Sequence, residues 1–297
     1  MAELKPFLKW AGGKRKLIST IKTYYPFDKG YTRYVEPFVG GGAVLFDILE
    51  NQHVEEIYIS DINDSLINTY LTIRDECEKL IKELKKLDKE YKMDDIVNRK
   101  QNFLNHRDDF NGLTNILTRG KYSQIRKAAY FIFLNKTCFN GLYRVNSDGK
   151  FNVSFGKYSN PIICDEDNLR NISKKLKNVK IICCPYSDML DKINEKTFVF
   201  LDPPYRPLNK TSSFNSYAKD SFDDAAQVEL AEFVNEINEA GAKFVLCNSD
   251  PHNTDPSDNF FDDLYKNYTI RRIPATRMIN SKASARGAIN ELLITNI

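Results

Sequence analysis

Apolar runs and helical periodicity alternate over the first sixty residues. Tyr34-Val35 is followed by Gly40-Gly41-Gly42, by an apolar stretch from Ala43 to Leu49 and by Ile57-Tyr58-Ile59. Strand, glycine-rich loop, helix and strand in that order open a parallel α/β sheet. From Asp64 to about Tyr91 the positions Leu66, Ile67, Tyr70, Leu71, Leu80, Ile81, Leu84 and Leu87 fall near helical spacing, with charges between them. A polar stretch from Asp94 to Asn115 leads into a further helix near Ser123 to Leu134, and no strong strand signal returns until about Leu142. The sheet resumes with Lys180-Ile181-Ile182-Cys183, Phe198 to Leu201, Lys243 to Cys247 and Glu291 to Thr295. Residues 67–161 therefore read as an insertion into a sheet domain made of residues 1–66 and 162–297.

Within the insertion, Leu142-Tyr143-Arg144-Val145 and Lys150-Phe151-Asn152-Val153 flank Asn146-Ser147-Asp148-Gly149. Asp-Gly between β-formers is a strong short-range hairpin signal. A two-stranded ribbon fits the major groove of B-DNA, and Arg144, Lys150 and Lys157 give this one a basic edge. Charge along the chain sharpens that reading. The 43 basic and 40 acidic residues leave a net charge of only +3. From Arg119 to Tyr158, however, eight basic residues face one acid, and the first 34 residues carry eight basic and two acidic side chains. From Asp188 to Leu264 sixteen acids face six bases. A polyanion would meet some faces of such a molecule and avoid others.

The candidate chemistry sits at strand ends. Asp202-Pro203-Pro204-Tyr205 follows the apolar run Thr197 to Leu201, where the chain leaves the sheet, and in open α/β sheets ligands collect outside the carboxyl ends of strands. Successive prolines fix φ and remove two backbone donors, so an acid, free carbonyls and an aromatic ring stand together. That set suits a planar group bearing an NH2. The loop Pro37-Phe38-Val39-Gly40-Gly41-Gly42-Ala43 lets backbone approach a ligand, but Leu45 stands where a GxGxxG fingerprint needs its third glycine. Gly12-Gly13-Lys14 resembles the end of a phosphate-binding loop, yet Leu8 and Arg15 occupy two of its required positions. Asp61, ending the second strand, is placed to accept both hydroxyls of a ribose. An adenosine-containing ligand without an obligatory pyrophosphate fits.

Six cysteines without a CxxC pair read as reduced thiols, and three histidines without HExxH give no metal-ligand spacing. The first ten residues lack the apolar core of a signal peptide, and no stretch approaches the roughly 18 apolar residues of a membrane span. A protein acting in the cytoplasm, without metal or membrane, is expected.

Several blocks resemble, in order, the motifs of the Dam-type DNA adenine-N6 methyltransferases, in the alpha group of amino-methyltransferases. They are Phe7-Leu8-Lys9-Trp10-Ala11-Gly12-Gly13-Lys14, Glu36 to Ala43, Ser60-Asp61-Ile62-Asn63, Asn140-Gly141-Leu142-Tyr143-Arg144-Val145-Asn146, Phe151 to Tyr158, Asp202 to Tyr205 and Glu291 to Asn296. The resemblance spans essentially the whole chain. It implies a mixed seven-stranded, S-adenosylmethionine-dependent methyltransferase sheet (α/β), with residues 67–161 as a mainly helical, hairpin-bearing DNA-recognition domain. It implies methyl transfer from S-adenosylmethionine to the N6 amine of a flipped adenine in double-stranded DNA, within GATC. By position it assigns the cofactor to Trp10, Lys14, Glu36, Phe38, Gly40, Gly42, Asp61, Tyr186 and Asp202. Asp202, Pro203 and Tyr205 become the residues that meet the target base, and Lys9, Asn140, Leu142, Arg144 and Tyr158 the DNA contacts. A monomer or weak dimer is expected, associated with the nucleoid while acting, and a restriction endonuclease counterpart in the same cell is compatible with it. Ser154 stands where many relatives have proline, and Phe139 where others carry Tyr or another residue. These departures bear on flanking-base contacts. From the residues alone, RNA, the amine of cytosine, a glutamine amide, or DNA binding without catalysis stay open.

Overall fold

The computed structural model describes residues 4–10, 12–206, 222–276 and 288–297. Seven strands form one mixed sheet: β1 (Arg33–Glu36), β2 (Glu56–Asp61), β3 (Lys180–Cys183), β4 (Thr197–Leu201), β5 (Lys243–Ser249), β6 (Thr269–Thr276) and β7 (Ala288–Thr295). Their order is β3-β2-β1-β4-β5-β7-β6. The first five run parallel, and β7 enters antiparallel between β5 and β6. The α/β class and the seven strands are as the resemblance implied. β4 is central and buried along its whole length, which is why its sequence is a continuous apolar run without polar alternation.

Nine helices surround the sheet among the described residues: α1 (Ile18–Ile21), α2 (Ala43–Asn51), α3 (Asp64–Asp75), α4 (Cys77–Met93), α5 (Ile96–Gly112), α6 (Lys121–Thr137), α7 (Glu166–Lys175), α8 (Asp224–Glu239) and α9 (Phe260–Leu264). Side chains alternate across each strand. Phe198 and Phe200 therefore join Tyr34, Ile59 and the helices that follow β2, while Val199 and Leu201 join Val35, Phe244, α8 and α9 on the other face. α3 to α7 all lie between β2 and β3 in the chain. α6 is buried almost all round, from Ala128 to Leu134, and packs against α3, α4 and α5. A helix apolar on every side is one enclosed by its neighbours. The core of this helical layer is continuous with one face of the sheet.

Connectivity positions the site. The chain passes from β1 outward through β2 to β3, then returns to place β4 on the other side of β1. The order of strands reverses there, and the crevice at such a switch point is where α/β sheets bind ligands. The glycine-rich loop after β1 and the Asp202 turn after β4 both open into it.

Two elements depart from the expectation. β6 was not singled out, since Arg271 and Arg272 interrupt its apolar positions and Pro274 lies within it; it is an edge strand, where proline is tolerated. The expected hairpin is reduced to a single antiparallel bridge, Val145 to Phe151, below a second bridge, Cys138 to Phe155. Its turn does form: Gly149, at φ 74°, donates to the Asn146 carbonyl. Asn146 Oδ1 accepts from the Asp148 and Lys150 amides, and Phe151 exchanges backbone bonds with the Asn111 side chain. Those side-chain bonds take donors that a longer ladder would use.

Candidate active site

At the carboxyl end of β4, Asp202 Oδ1 lies 2.7 Å from Lys14 Nζ, which also donates to the Gly12 carbonyl at 2.5 Å. The Lys14 side chain is only 3% exposed, against 22% for Asp202. Burial raises the Asp202 carboxyl above its ordinary range, and Lys14 pulls against that rise. For Lys14, burial favours the neutral amine, but the attraction of Asp202, with that of Glu291, wins and the net shift is upward. The lysine is therefore a fixed cation that opposes the effect of burial on the acid. Its ammonium lies 4.7 Å from the centre of the Tyr205 ring, and the Tyr205 hydroxyl donates to Glu291 Oε2 at 2.7 Å. One cation thus feels two carboxylates, Asp202 directly and Glu291 from beyond the Tyr205 ring.

The turn itself is held from behind. Gln227 Nε2 donates to the Pro204 carbonyl at 3.2 Å, and Asn248 Nδ2 to Gln227 Oε1 at 3.0 Å. Arg206 is clamped by Asp224 and Asp258. One of the two expected free carbonyls is therefore taken. Among the described residues no donor is assigned to the other, that of Pro203.

The loop after β1 takes its shape from buried contacts. Glu36 accepts from the Tyr34 hydroxyl at 2.8 Å and from the Leu45 amide in the first turn of α2, and burial drives its carboxyl well above the usual range. It supports the loop from within. Gly42 has φ 70°, and a Cβ there would lie 2.4 Å from the Tyr70 hydroxyl; at Gly40 a Cβ would lie 2.8 Å from Trp10 Nε1. Glycine is required so that Trp10 and Tyr70 can close on the backbone. Asp61 ties the end of β2 to this loop, accepting from the Gly40 amide at 3.2 Å and the Asn63 amide at 2.9 Å. Burial raises its carboxyl to about 6 against those bonds. In the same loop Phe38 packs against Tyr186 with ring centroids 5.2 Å apart. An aromatic wall, a partly exposed acid and a net negative charge beside Lys14 fit a cationic nucleoside such as S-adenosylmethionine.

The segment Lys9-Trp10 links this crevice to residues 138–158. Asn135, buried on α6, accepts from the Lys9 amide and donates to the carbonyls of Lys9 and Gly141. A Cβ on Gly141 would lie 2.5 Å from Lys9 Cδ, and Lys9 Nζ stands 4.6 Å from the Tyr158 ring centre. The Tyr158 hydroxyl accepts from the Asn140 amide at 3.1 Å, with Asn140 at φ 55°. Lys9, Asn140 and Tyr158 are thus one cluster. Arg144 is exposed on the ribbon, its Nε donating to Asn152 Oδ1 at 2.8 Å, while Leu142 is half-buried against the core.

The structure brings Trp10, Phe38, Gly40, Gly42, Asp61 and Tyr186 to one crevice edge, and Lys14, Asp202, Pro203 and Tyr205 to the adjoining strand end. The sequence assigns no site role to Glu291, Gln227, Asn248 or Asn135. Glu291 alone carried a signal, as the acid opening an otherwise apolar strand. Among the described residues no three His, Cys, Asp or Glu side chains gather as metal ligands would. All six cysteines are free thiols, and no described helix is long and apolar enough to cross a membrane.

The profile of the family described as D12 class N6 adenine-specific DNA methyltransferase matches residues 10–279. The Type II methyltransferase M.MjaIII of Methanocaldococcus jannaschii is 46% identical over 298 residues, covering 99% of each chain. The Type II methyltransferase M1.LlaDCHI of Lactococcus lactis subsp. cremoris is 36% identical, covering 99% of this chain and 95% of its own. The DNA adenine methylase of Escherichia coli K12 is 30% identical over the same shares.

Proposed function

We propose a target and a set of residue roles for this chain, which belongs to the D12 class N6 adenine-specific DNA methyltransferase family. It is an adenine-specific DNA methyltransferase, and the family implies S-adenosylmethionine as methyl donor. Our reading is that the adenine is flipped out of duplex DNA, lies within GATC, and meets Asp202 at the end of β4. The observation that carries it is the strand-end arrangement: an acid paired with a buried lysine, next to a proline carbonyl to which no described donor is assigned.

The exocyclic amine of adenine is a weak nucleophile, because its lone pair is conjugated into the ring, and inside a duplex it is out of reach. Flipping costs a few kcal/mol of unstacking. We assign the amine's two N–H bonds to Asp202 Oδ2 and the Pro203 carbonyl, Oδ1 being engaged with Lys14. Two acceptors so placed favour a pyramidal nitrogen with its lone pair directed away from them. Lys14 covers one face of Tyr205, and we assign the other to the base. S-adenosylmethionine bound there would supply an activated methyl group for direct displacement, departing as S-adenosylhomocysteine, and the methylated amine would give up one proton to Asp202 or to water. In our assignment Asp61 accepts its ribose hydroxyls, Trp10 and the Gly40 loop line its path, Phe38 and Tyr186 hold the adenine ring, and Glu36 and Gly42 fix the loop. Most of the rate then comes from positioning and electrostatics.

Residues 67–161 are assigned to DNA recognition and residues 1–66 with 162–297 to catalysis. Lys9, Asn140, Leu142 and Tyr158 contact the duplex, and Arg144 presents a fork of donors suited to O6 and N7 of guanine. The names of two relatives support a restriction endonuclease counterpart. The enzyme acts as a monomer or weak dimer in the cytoplasm, on the nucleoid. The test is incubation with S-adenosylmethionine and short duplexes, followed by nucleoside analysis. N6-methyladenine confined to GATC duplexes supports the reading. Methylation at a different adenine context, or of RNA in preference to duplex DNA, contradicts it.

A further inference from the structure

Tyr143 stands at a junction that neither the chemistry nor the base contacts require. It adjoins Arg144 in the chain. Its ring stacks on Trp10 at 5.8 Å between centroids and 20° between planes, and it packs edge-on against Phe131 and at a tilt against Phe151. Trp10 in turn closes on the backbone of Gly40 and Gly41, where added Cβ atoms would lie 2.8 and 2.9 Å from it. The Tyr143 hydroxyl faces the Asn63 side chain, and the Asn63 amide is bonded to Asp61 Oδ1 at 2.9 Å. One residue therefore reaches both arms of the cofactor crevice, the glycine loop through Trp10 and Asp61 through Asn63. Among the described residues, its neighbour Arg144 is held by the Asn152 side chain and by the Asn152 amide donating to its carbonyl.

We propose that Tyr143 is a positioning residue through which occupancy of the cofactor crevice sets the pose of Arg144, so that cofactor and recognition sequence bind cooperatively. This rests on the assignment of the crevice to S-adenosylmethionine and of Arg144 to a guanine. The physical basis is that packed aromatic groups do not deform continuously. A ligand seated against the Gly40 loop fixes the plane of Trp10, and Trp10 fixes the plane of Tyr143 and the segment that follows it. Coupling between binding sites is reciprocal: a duplex that orders the ribbon must tighten cofactor binding by the same factor.

The experiment measures the dissociation constant of S-adenosylhomocysteine by calorimetry, alone, with a saturating GATC duplex and with a duplex of equal composition lacking GATC. The wild-type protein should bind the nucleoside about fivefold tighter or better with the GATC duplex, and less so with the other. Tyr143→Leu should bring that ratio close to one. Tyr143→Phe, which keeps the ring and loses only the hydroxyl, should retain most of it. Because each ratio is taken within one variant, a general loss of stability does not imitate the result. Trp10, the chain's single tryptophan, gives a second readout: the GATC duplex should shift its emission in the wild type and not in Tyr143→Leu, while S-adenosylhomocysteine shifts it in both. A wild-type ratio of one, or an undiminished ratio in Tyr143→Leu, overturns the proposal. If the wild type binds no S-adenosylhomocysteine or does not distinguish the duplexes, the underlying assignment of ligand or sequence falls, and the coupling with it.

Discussion

In the strand-end pocket Lys14, Asp202, Tyr205 and Glu291 are partnered to one another, whereas Asn140, Arg144, Lys150 and Lys157 stand exposed along the recognition ribbon. The ribbon also carries positive φ at Asn140, Gly141, Gly149 and Lys157. The two regions answer different demands. A reaction that develops charge gains most from groups already oriented, since no reorganisation is then needed at the moment of transfer. A surface that reads base edges must reach into a groove, and its long side chains become ordered only as contacts form. The contrast predicts steep, nearly all-or-none losses from changes in the pocket and graded, sequence-dependent losses from changes in the ribbon.

The largest effect is expected at Asp202. Asp202→Asn preserves volume and an acceptor for Lys14 and should lower the methylation rate by at least about 10²-fold, with a smaller fall in melting temperature than the alanine variant. Asp202→Ala should be as inactive and should also lose up to about 3 kcal/mol of stability, because it strands the buried Lys14. Full turnover by a folded Asn variant would remove the acid from the mechanism.

Next comes Asp61. Asp61→Ala removes an acceptor and releases the Gly40 and Asn63 amides, and S-adenosylmethionine should bind about 10- to 100-fold more weakly, corresponding to roughly 1.5–3 kcal/mol for bonds to a charged group. The same carboxyl yields a pH dependence. Its folded-state value is raised to about 6 from 3.8, so the folded protein holds a proton that the unfolded chain has already released across that window. Its contribution to stability is therefore greatest below the unfolded value and is lost as pH rises towards about 6. Cofactor affinity runs the other way: if the ionised form accepts the ribose hydroxyls, binding at pH 5 should be about tenfold weaker than at pH 7.5. Calorimetry at the two pH values checks this, and a flat profile would leave Asp61 as a mere tie between strand and loop.

Smaller effects belong to the ribbon. Arg144→Ala should lose roughly 1–3 kcal/mol of discrimination at one guanine of the site. Lys150→Ala should weaken all duplexes alike and flatten the salt dependence by about one phosphate contact. Rates on GATC and single-base variants at two salt concentrations separate the two behaviours.

The legibility of the sequence followed the same division. The buried strands were readable because β1, β2, β4 and β5 lie inside the sheet and need continuous apolar runs, and Asp202 and Asp61 were readable because a strand that ends in an acid breaks such a run. β6 was not readable, since an edge strand tolerates Arg271, Arg272 and Pro274. The ribbon's turn was visible in Asp148-Gly149, but not that Asn146 and Asn111 would take the ladder's donors. Partnerships across long chain separations left no local trace: Tyr205 with Glu291, Lys9 with Asn135, Trp10 with Tyr143. Each is set by the meeting of distant elements, and periodicity reports only neighbours.

The central claim is that the pocket performs the chemistry while the ribbon chooses the site. Methylation sequencing of DNA from cells making the wild-type protein or Arg144→Ala tests it most directly. The account predicts N6-methyladenine at GATC for the wild type, and for the variant the same modified base spread to sites altered at one guanine. A variant whose methylation falls by one common factor at every site, with no new sites, would contradict it and make Arg144 a phosphate contact.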